Sequence, residues 1–329
     1  MKVLLTGVAG FVGGHMAEYL RSEHPSVEVF GIVKPHGSAG AQLPGRVAVI
    51  EADLEDSAAV EAALDLVHPD RIVHLAAQSS PQASWDDPAG TLRVNILGLL
   101  NLLEAVRARA LSPRILVVGS AEEYGMVDAR DLPVTEETPL RPATPYAVSK
   151  VAQGYLALQY ALSFRMGIIR TRTFHHTGPG RGEAFAESSF ARQIAEIETR
   201  RRPPVLAVGN LEAVRDFSDV RDVVRAYWRL LESGNAGDVY NVCSGKGIRI
   251  RDLLQSLIAA AGVDVEVRVD PDRLRPSDIP ALVGDPRKLR DATGWSPEVP
   301  LERTLGDLLQ YWRERTATGS VPSAAAKPR

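Results

Sequence analysis

Short apolar runs punctuate the first 120 positions: KVLLTG (2–7), VEVFGIV (27–33), RVAVIEAD (46–53), RIVHLAA (71–77) and RILVVGS (114–120). Each is followed by a helical pattern or a loop, the βαβ rhythm of a parallel sheet covered on both faces. The pattern DSAAVEAALDLV (56–67) opens on an N-cap candidate, Asp56. DPAGTLRVNILGLLNLLEAVRARA (87–110) has proline near its start and arginines at its end, which complements the helix macrodipole. GIIRTRTF (167–174) predicts a sixth strand, and at the glycine- and proline-rich HHTGPGRGEA (175–184) the alternation breaks and the chain leaves the sheet. A helix (187–201) and a strand (203–210) follow, and then a helix (219–233) and a strand (238–244) return to the sheet. The expected organisation is a nucleotide-binding domain, 1–175 with 213–245 returning to it, and a smaller discontinuous lobe, 176–212 and 246–315. The last stretch, 316–329, lacks apolar periodicity and is expected to be disordered. No internal repeat is visible.

At 329 residues the chain exceeds one compact core, leaving room for a deep cleft between two units. A net charge of −3 from well-mixed acids and bases gives no basic stripe, which argues against nucleic acid as a partner. The single cysteine, Cys243, forms no internal disulfide and sits in an apolar run as a small buried residue. The N-terminal apolar run is broken by glycines and flows into a helix pattern, unlike a signal peptide. The longest apolar segment, ILGLLNLLEAV (96–106), is too short to span a bilayer. A cytoplasmic protein without a membrane anchor is the expectation.

Directly after the first strand, TGVAGFVG (6–13) spaces Gly7, Gly10 and Gly13 three residues apart ahead of a helix. Glycines there permit a tight turn, let backbone N–H groups approach a pyrophosphate and let the helix pack on the strand. A dinucleotide fits; the alternative is an ordinary glycine-rich turn. The second strand ends in Val33 and Lys34 rather than in an acid that would accept from ribose hydroxyls. With no carboxylate to repel a phosphate and a cation to pair with it, NADP is favoured over NAD, although Lys34 also reads as a solvated loop lysine.

Tyr146 stands one helical turn before Lys150, so phenol and ammonium share a face. A phenol titrates near pH 10, too high for proton exchange at neutrality, and the ammonium is expected to lower it. With Ser120 at the end of the fifth strand, the pair reads as a proton relay for carbonyl reduction.

TGVAGFVG, HLAAQSS (74–80), the Ser120 strand end and YAVSK (146–150) resemble the extended branch of the short-chain dehydrogenases/reductases, over nearly the whole chain. The resemblance implies an α/β fold: a Rossmann-type, doubly wound parallel sheet of seven strands with a small C-terminal lobe that closes over a nucleotide-activated sugar. It also implies that Gly10, Phe11 and Val12 line the pyrophosphate, Asp53 and Leu54 the adenine, and Leu75, Ala76 and Ala77 the cofactor's middle.

Within that branch, 172–180, 208–228 and 275–289 resemble the segments that grip GDP-linked hexoses in GDP-mannose dehydratases and GDP-4-keto-6-deoxymannose reductases. Arg215 and Arg275 offer planar forks to a diphosphate, and Asn210 suits the nucleotide or its ribose; Ser277 and Asp278 belong to the same substrate set. For Arg215 a surface ion pair is the alternative. Glu122, in GSAEEYG (119–125), stands where dehydratases keep a base. The glycine turn and the doubled acid resemble the reductases more closely, so NADPH-dependent reduction of a GDP-linked 4-keto-6-deoxyhexose is expected: Tyr146 supplies the proton, Lys150 lowers its pKa and fixes the cofactor ribose, and Ser120 hydrogen-bonds the substrate carbonyl. Glu122 is then a sugar-hydroxyl acceptor or a vestige. A dehydratase, a bifunctional enzyme and a silent sensor of NADP or a sugar nucleotide are the alternatives.

His175 stands where the family carries asparagine and is read as a replacement donor to substrate. Adjacent His176 does not make a metal site with it, since neighbours on a strand point to opposite faces. Surplus leucine and alanine in 92–106 and 147–162, helices that the family resemblance pairs across a two-fold axis, suggest a homodimer; covering the sheet is the alternative.

Overall fold

The computed structural model describes residues 1–35, 47–274 and 279–318. Its strands are β1 (Lys2–Thr6), β2 (Glu28–Val33), β3 (Val47–Glu51), β4 (Arg71–His74), β5 (Arg114–Ser120), β6 (Ile168–Thr173), β7 (His175–Thr177), β8 (Val205–Val208), β9 (Val214–Asp219), β10 (Val239–Val242), β11 (Gly247–Arg249), β12 (Glu266–Val269) and β13 (Ala281–Leu282). The helices are α1 (Phe11–Glu23), α2 (Ser57–Val67), α3 (Pro81–Asp86), α4 (Pro88–Leu92), α5 (Gly98–Ala108), α6 (Pro145–Phe164), α7 (Ala186–Glu198), α8 (Val220–Ser233), α9 (Ile250–Ala261), α10 (Arg287–Thr293) and α11 (Leu301–Ala317).

Seven strands form one parallel sheet in the order β10-β6-β5-β4-β1-β2-β3. Because β1 pairs with both β2 and β4, the winding direction reverses beside it, and the crevice of such a sheet opens there, at the carboxyl ends of the strands. The apolar runs explain the two layers. Val3, Leu5, Leu116 and Ile169 bury one face against α1 and α8, while Leu4, Ile72, Ile115 and Ile168 bury the other against α2, α5 and α6. Asp56 caps α2 by accepting from the Ala58 and Ala59 amides, as its position predicts. Thr144 caps α6 with Pro145 next, so the helix that carries Tyr146 has a fixed start.

A third core joins α7, β8, α9 and α11 through Phe190, Ile194, Leu206, Leu253, Leu308 and Trp312. The division of the chain differs from the expected one in three places. β9 pairs with β7, β11 and β13 in a separate small sheet, so the return to the main layers begins at α8. α10 packs on the main sheet, with Leu289 and Trp295 in the core of α1 and α8. α11 runs through Ala317 and buries Thr316, so the first residues of the expected tail are helical, and 319–329 lie outside the described residues.

The segment read as too short to span a bilayer belongs to a longer helix, Pro88–Ala108, which by length and composition is sufficient to cross one. Its Leu99, Leu102, Leu103 and Val106 are buried in the core against α2 and α6, which accounts for its apolarity. Between α4 and α5 the helix loosens into a π-helical turn, Arg93–Leu97, which places Asn95 inward.

Candidate active site

A cavity of about 910 Å³ runs from the first βα turn, past the ends of β4, β5 and α6, to α7 and β9. At its base Gly7 holds φ of 72°, and a Cβ there would meet the Ala76 backbone at 2.9 Å. A Cβ on Gly13 would lie 2.3 Å from the Gly7 carbonyl oxygen. Gly10 donates to that same carbonyl at 3.0 Å, and α1 starts at Phe11 with its N-terminus at the cavity. Side chains at Gly7 and Gly13 would collide with neighbouring backbone, so strand, turn and helix pack closely with the helix N-terminus at the cavity, and a dinucleotide's diphosphate fits there. Thr6 Oγ1 accepts from the Leu75 and Ala76 amides and bonds His74 Nδ1, which fixes the lining made by Leu75, Ala76 and Ala77. Val12, Asp53 and Leu54 also line the cavity.

Lys34 lies at the far end of this groove but is not apart from carboxylates. Its Nζ is 3.0 Å from Asp53 and 3.7 Å from Glu55, both beyond β3. The premise of an acid-free ribose end is therefore corrected: the loop after β3, the strand paired with β2, supplies the acids. The lysine side chain is 61 % exposed and can exchange these partners for a phosphate.

At the centre Ser120, Glu122, Tyr146 and Lys150 all line the cavity. Ser120 Oγ accepts from the Glu122 amide at 3.2 Å. Burial pushes the neighbouring Tyr146 phenol well above its usual range, with the Ser120 hydroxyl holding the rise down and the Glu122 and Glu123 carboxylates adding to it. The expected lowering by Lys150 does not appear. The ammonium lies 6.0 Å from the phenol ring centroid and donates instead to the Val118 carbonyl at 2.9 Å and Gln153 Oε1 at 2.8 Å. Burial lowers Lys150 to about 8, with Glu123 opposing.

On the opposite wall stand His175, Asn210 and Arg215. Arg215 is buried and donates to the Val214 carbonyl, and Asn210 accepts from the Glu212 amide. Behind Arg215, Asp216 accepts from the Ser244 amide and hydroxyl and from the Gly245 and Gly284 amides, pinning β9 to the end of β10. Both histidines border the cavity, contrary to the expected opposite faces: His175 packs on Phe217, and His176 stacks on Phe11. Burial lowers His176 to about 3, so it is neutral. Among the described residues no group of three or more His, Cys, Asp or Glu converges as a metal site. Arg275, Ser277 and Asp278 lie outside the described residues.

The GDP-mannose 4,6 dehydratase family profile matches residues 4–308. The chain belongs to that family. It is 38 % identical over 314 residues to a GDP-6-deoxy-D-mannose reductase of Pseudomonas aeruginosa, covering 95 % of this chain and 98 % of that protein. A GDP-mannose 4,6-dehydratase of Yersinia enterocolitica is 29 % identical over 350 residues, covering 94 % and 92 %. The structure of RMD from Pseudomonas aeruginosa complexed with NADPH matches with a TM-score of 0.83 at 37 % identity, over 95 % of this chain and 99 % of that one. The fold of this GDP-mannose 4,6 dehydratase family member is that of the extended short-chain dehydrogenases/reductases.

Several residues of this family member's site escaped the sequence reading. Arg181 is packed between the Phe11 and Phe185 rings, 5.2 and 3.3 Å from their centroids, and faces the cavity near Tyr146. Asn95 accepts from the Gln78 amide and donates to Ser149 Oγ, whose hydroxyl donates to the Tyr146 carbonyl. Glu123 accepts from the Ser120 amide and from Arg172 Nε, both groups being buried. The signal for Glu123 was present in the Ser-x-x-Glu spacing of a capping box.

Proposed function

We propose that the protein is an NADPH-dependent reductase that converts GDP-4-keto-6-deoxy-D-mannose to GDP-D-rhamnose (GDP-6-deoxy-D-mannose). The observation that carries this reading is near-full-length identity of 38 % to a GDP-6-deoxy-D-mannose reductase against 29 % to a dehydratase. The cluster of Ser120, Tyr146 and Lys150 supports it chemically. NADPH, when bound, supplies the hydride.

The glycine turn and α1 hold the diphosphate, and Lys34 exchanges Asp53 and Glu55 for the phosphate on the adenine ribose. Lys150 holds the other ribose. Ser120 Oγ donates to the substrate's 4-oxygen as charge develops there, and Tyr146 delivers the proton to the same oxygen. A phenol kept protonated by burial suits a donor: it stays neutral until the oxygen becomes basic. From the opposite wall Arg215 presents its fork to the GDP diphosphate, Asn210 takes the nucleotide or its ribose and His175 contacts the sugar, while the family resemblance assigns Arg275, Ser277 and Asp278 to the same substrate.

Incubation with GDP-4-keto-6-deoxy-D-mannose and NADPH tests the reading. Loss of NADPH absorbance with a 6-deoxyhexose product by NMR is expected. GDP-mannose and NADP giving keto sugar with no net reduction would instead support a second reading, a dehydratase. Glu122 favours that alternative, because its place beside Ser120 in the cavity suits a ring-carbon base.

We further infer a cytoplasmic homodimer. Val148, Tyr155 and Leu162 expose an apolar row on α6, and Leu97 is exposed beside α5. The one cysteine is buried, which suits a reducing compartment.

A further inference from the structure

Lys150 is 4 % exposed, and a buried ammonium persists only where its three donors find acceptors. Two are accounted for, by the Val118 carbonyl at 2.9 Å and Gln153 Oε1 at 2.8 Å. Gln153 sits nearly a turn further along α6, 1 % exposed. Its Nε2 has no hydrogen-bond partner among the described residues. A buried amide with an idle NH2 group is a poor choice for packing, since the unmet donor opposes folding. Its contribution must come from the oxygen, and an ammonium that only donates fixes that oxygen toward Lys150.

We propose that Gln153 is a positioning residue: with the Val118 carbonyl it engages two of the three Lys150 donors and leaves the third for the cavity, where the nicotinamide-side ribose of the cofactor accepts it. This rests on the reductase reading above.

The charges and titratable groups around the ammonium come from every packed element. Glu123, after β5, is its negative neighbour and is itself bonded to Arg172 on β6. His74 on β4 feels the ammonium and is held neutral by burial. Tyr146, on the same helix, is a protonated phenol with Glu122 and Arg181 beyond it.

The test compares wild type, Gln153→Leu and Gln153→Glu in NADPH dissociation constant and in the pH dependence of kcat, with thermal unfolding as the folding control. Leucine removes the acceptor: NADPH binding weakens roughly tenfold, and the alkaline limb of kcat moves about one pH unit down, because the charged lysine loses its partner. Glutamate keeps an acceptor and adds charge: NADPH binding stays within about threefold of wild type, and the limb moves about one unit up. A purely structural glutamine would change unfolding alone. Wild-type dissociation constants and an unmoved limb in both variants overturn the proposal. If the leucine variant does not fold, an unmoved limb in the glutamate variant overturns it alone. A wild-type protein that neither binds nor oxidises NADPH sinks the reductase reading and this inference together, whereas an active wild type with indifferent variants sinks only this one.

Discussion

Tyr146 and Lys150 mark where residue spacing informs and where it stops. Four positions on one helix bring phenol and ammonium to one face, and both do line the cavity. Their electrostatics were not legible, because they depend on what each donor meets: Lys150 turns to Val118 on a strand far away in sequence, and the buried phenol is left protonated. The chemistry follows from that state. Replacing Tyr146 with Phe removes the proton and little else, so kcat falls by about 10²–10⁴ while NADPH affinity stays within about twofold, measured by stopped-flow and by fluorescence titration. The strand-end reading of Lys34 leaves out the acids that share its ammonium, because Asp53 and Glu55 follow the next strand, β3. Lys34→Ala is expected to weaken NADPH roughly tenfold while NADH binding changes by less than about twofold, because only the phosphorylated cofactor loses a charge-assisted bond. Equal weakening of both would remove the lysine from cofactor choice.

The element level was the most legible, for a physical reason. Strands buried on both faces and long amphipathic helices need continuous or periodic apolar residues, and those patterns are written in consecutive positions. Elements that carry no such pattern are not legible in the sequence: β12 is exposed at all four positions, and β11 and β13 are three and two residues long. The π-helical turn was equally hidden, since one extra residue per turn leaves no mark beyond Asn95, a polar residue in an apolar helix. The segment joining β5 to α6 hides the buried Glu123–Arg172 pair, which connects the Ser120 end of β5 to β6. Removing one partner strands the other's charge, so Arg172→Met should cost about 3–5 kcal/mol in chemical unfolding. Removing both, in Arg172→Met with Glu123→Gln, should cost less than the sum of the single changes, which a double-mutant cycle would read as coupling. Additive costs would show the pair to be energetically independent.

For the whole molecule, sequence order concealed which segments share a core: α10 returns to the main sheet from within the C-terminal run, because its contacts are with α8 and β10 rather than with its chain neighbours. The exposed surface carries the remaining argument. α6 buries Tyr146 and Lys150 toward the cavity, yet Val148, Tyr155 and Leu162 are 44, 57 and 70 % exposed at seven-residue steps. Seven residues are nearly two helical turns, so the three side chains form one row, and an apolar row on a helix already packed against the sheet asks for a second protein surface. A copy of the same helix presents the matching row across a two-fold axis. The double variant Tyr155→Asp with Leu162→Asp places two charges on each side of that contact, where like charges meet and lose water, so sedimentation should show the proposed dimer for wild type and a monomer for the variant. Because the row faces away from the cavity, NADPH binding by the monomer should remain within about threefold of wild type, a shift of less than roughly 1 kcal/mol. A wild-type protein that sediments as a monomer at micromolar concentration would instead leave this row a solvent-facing surface, and the two aspartates would then change neither mass nor affinity.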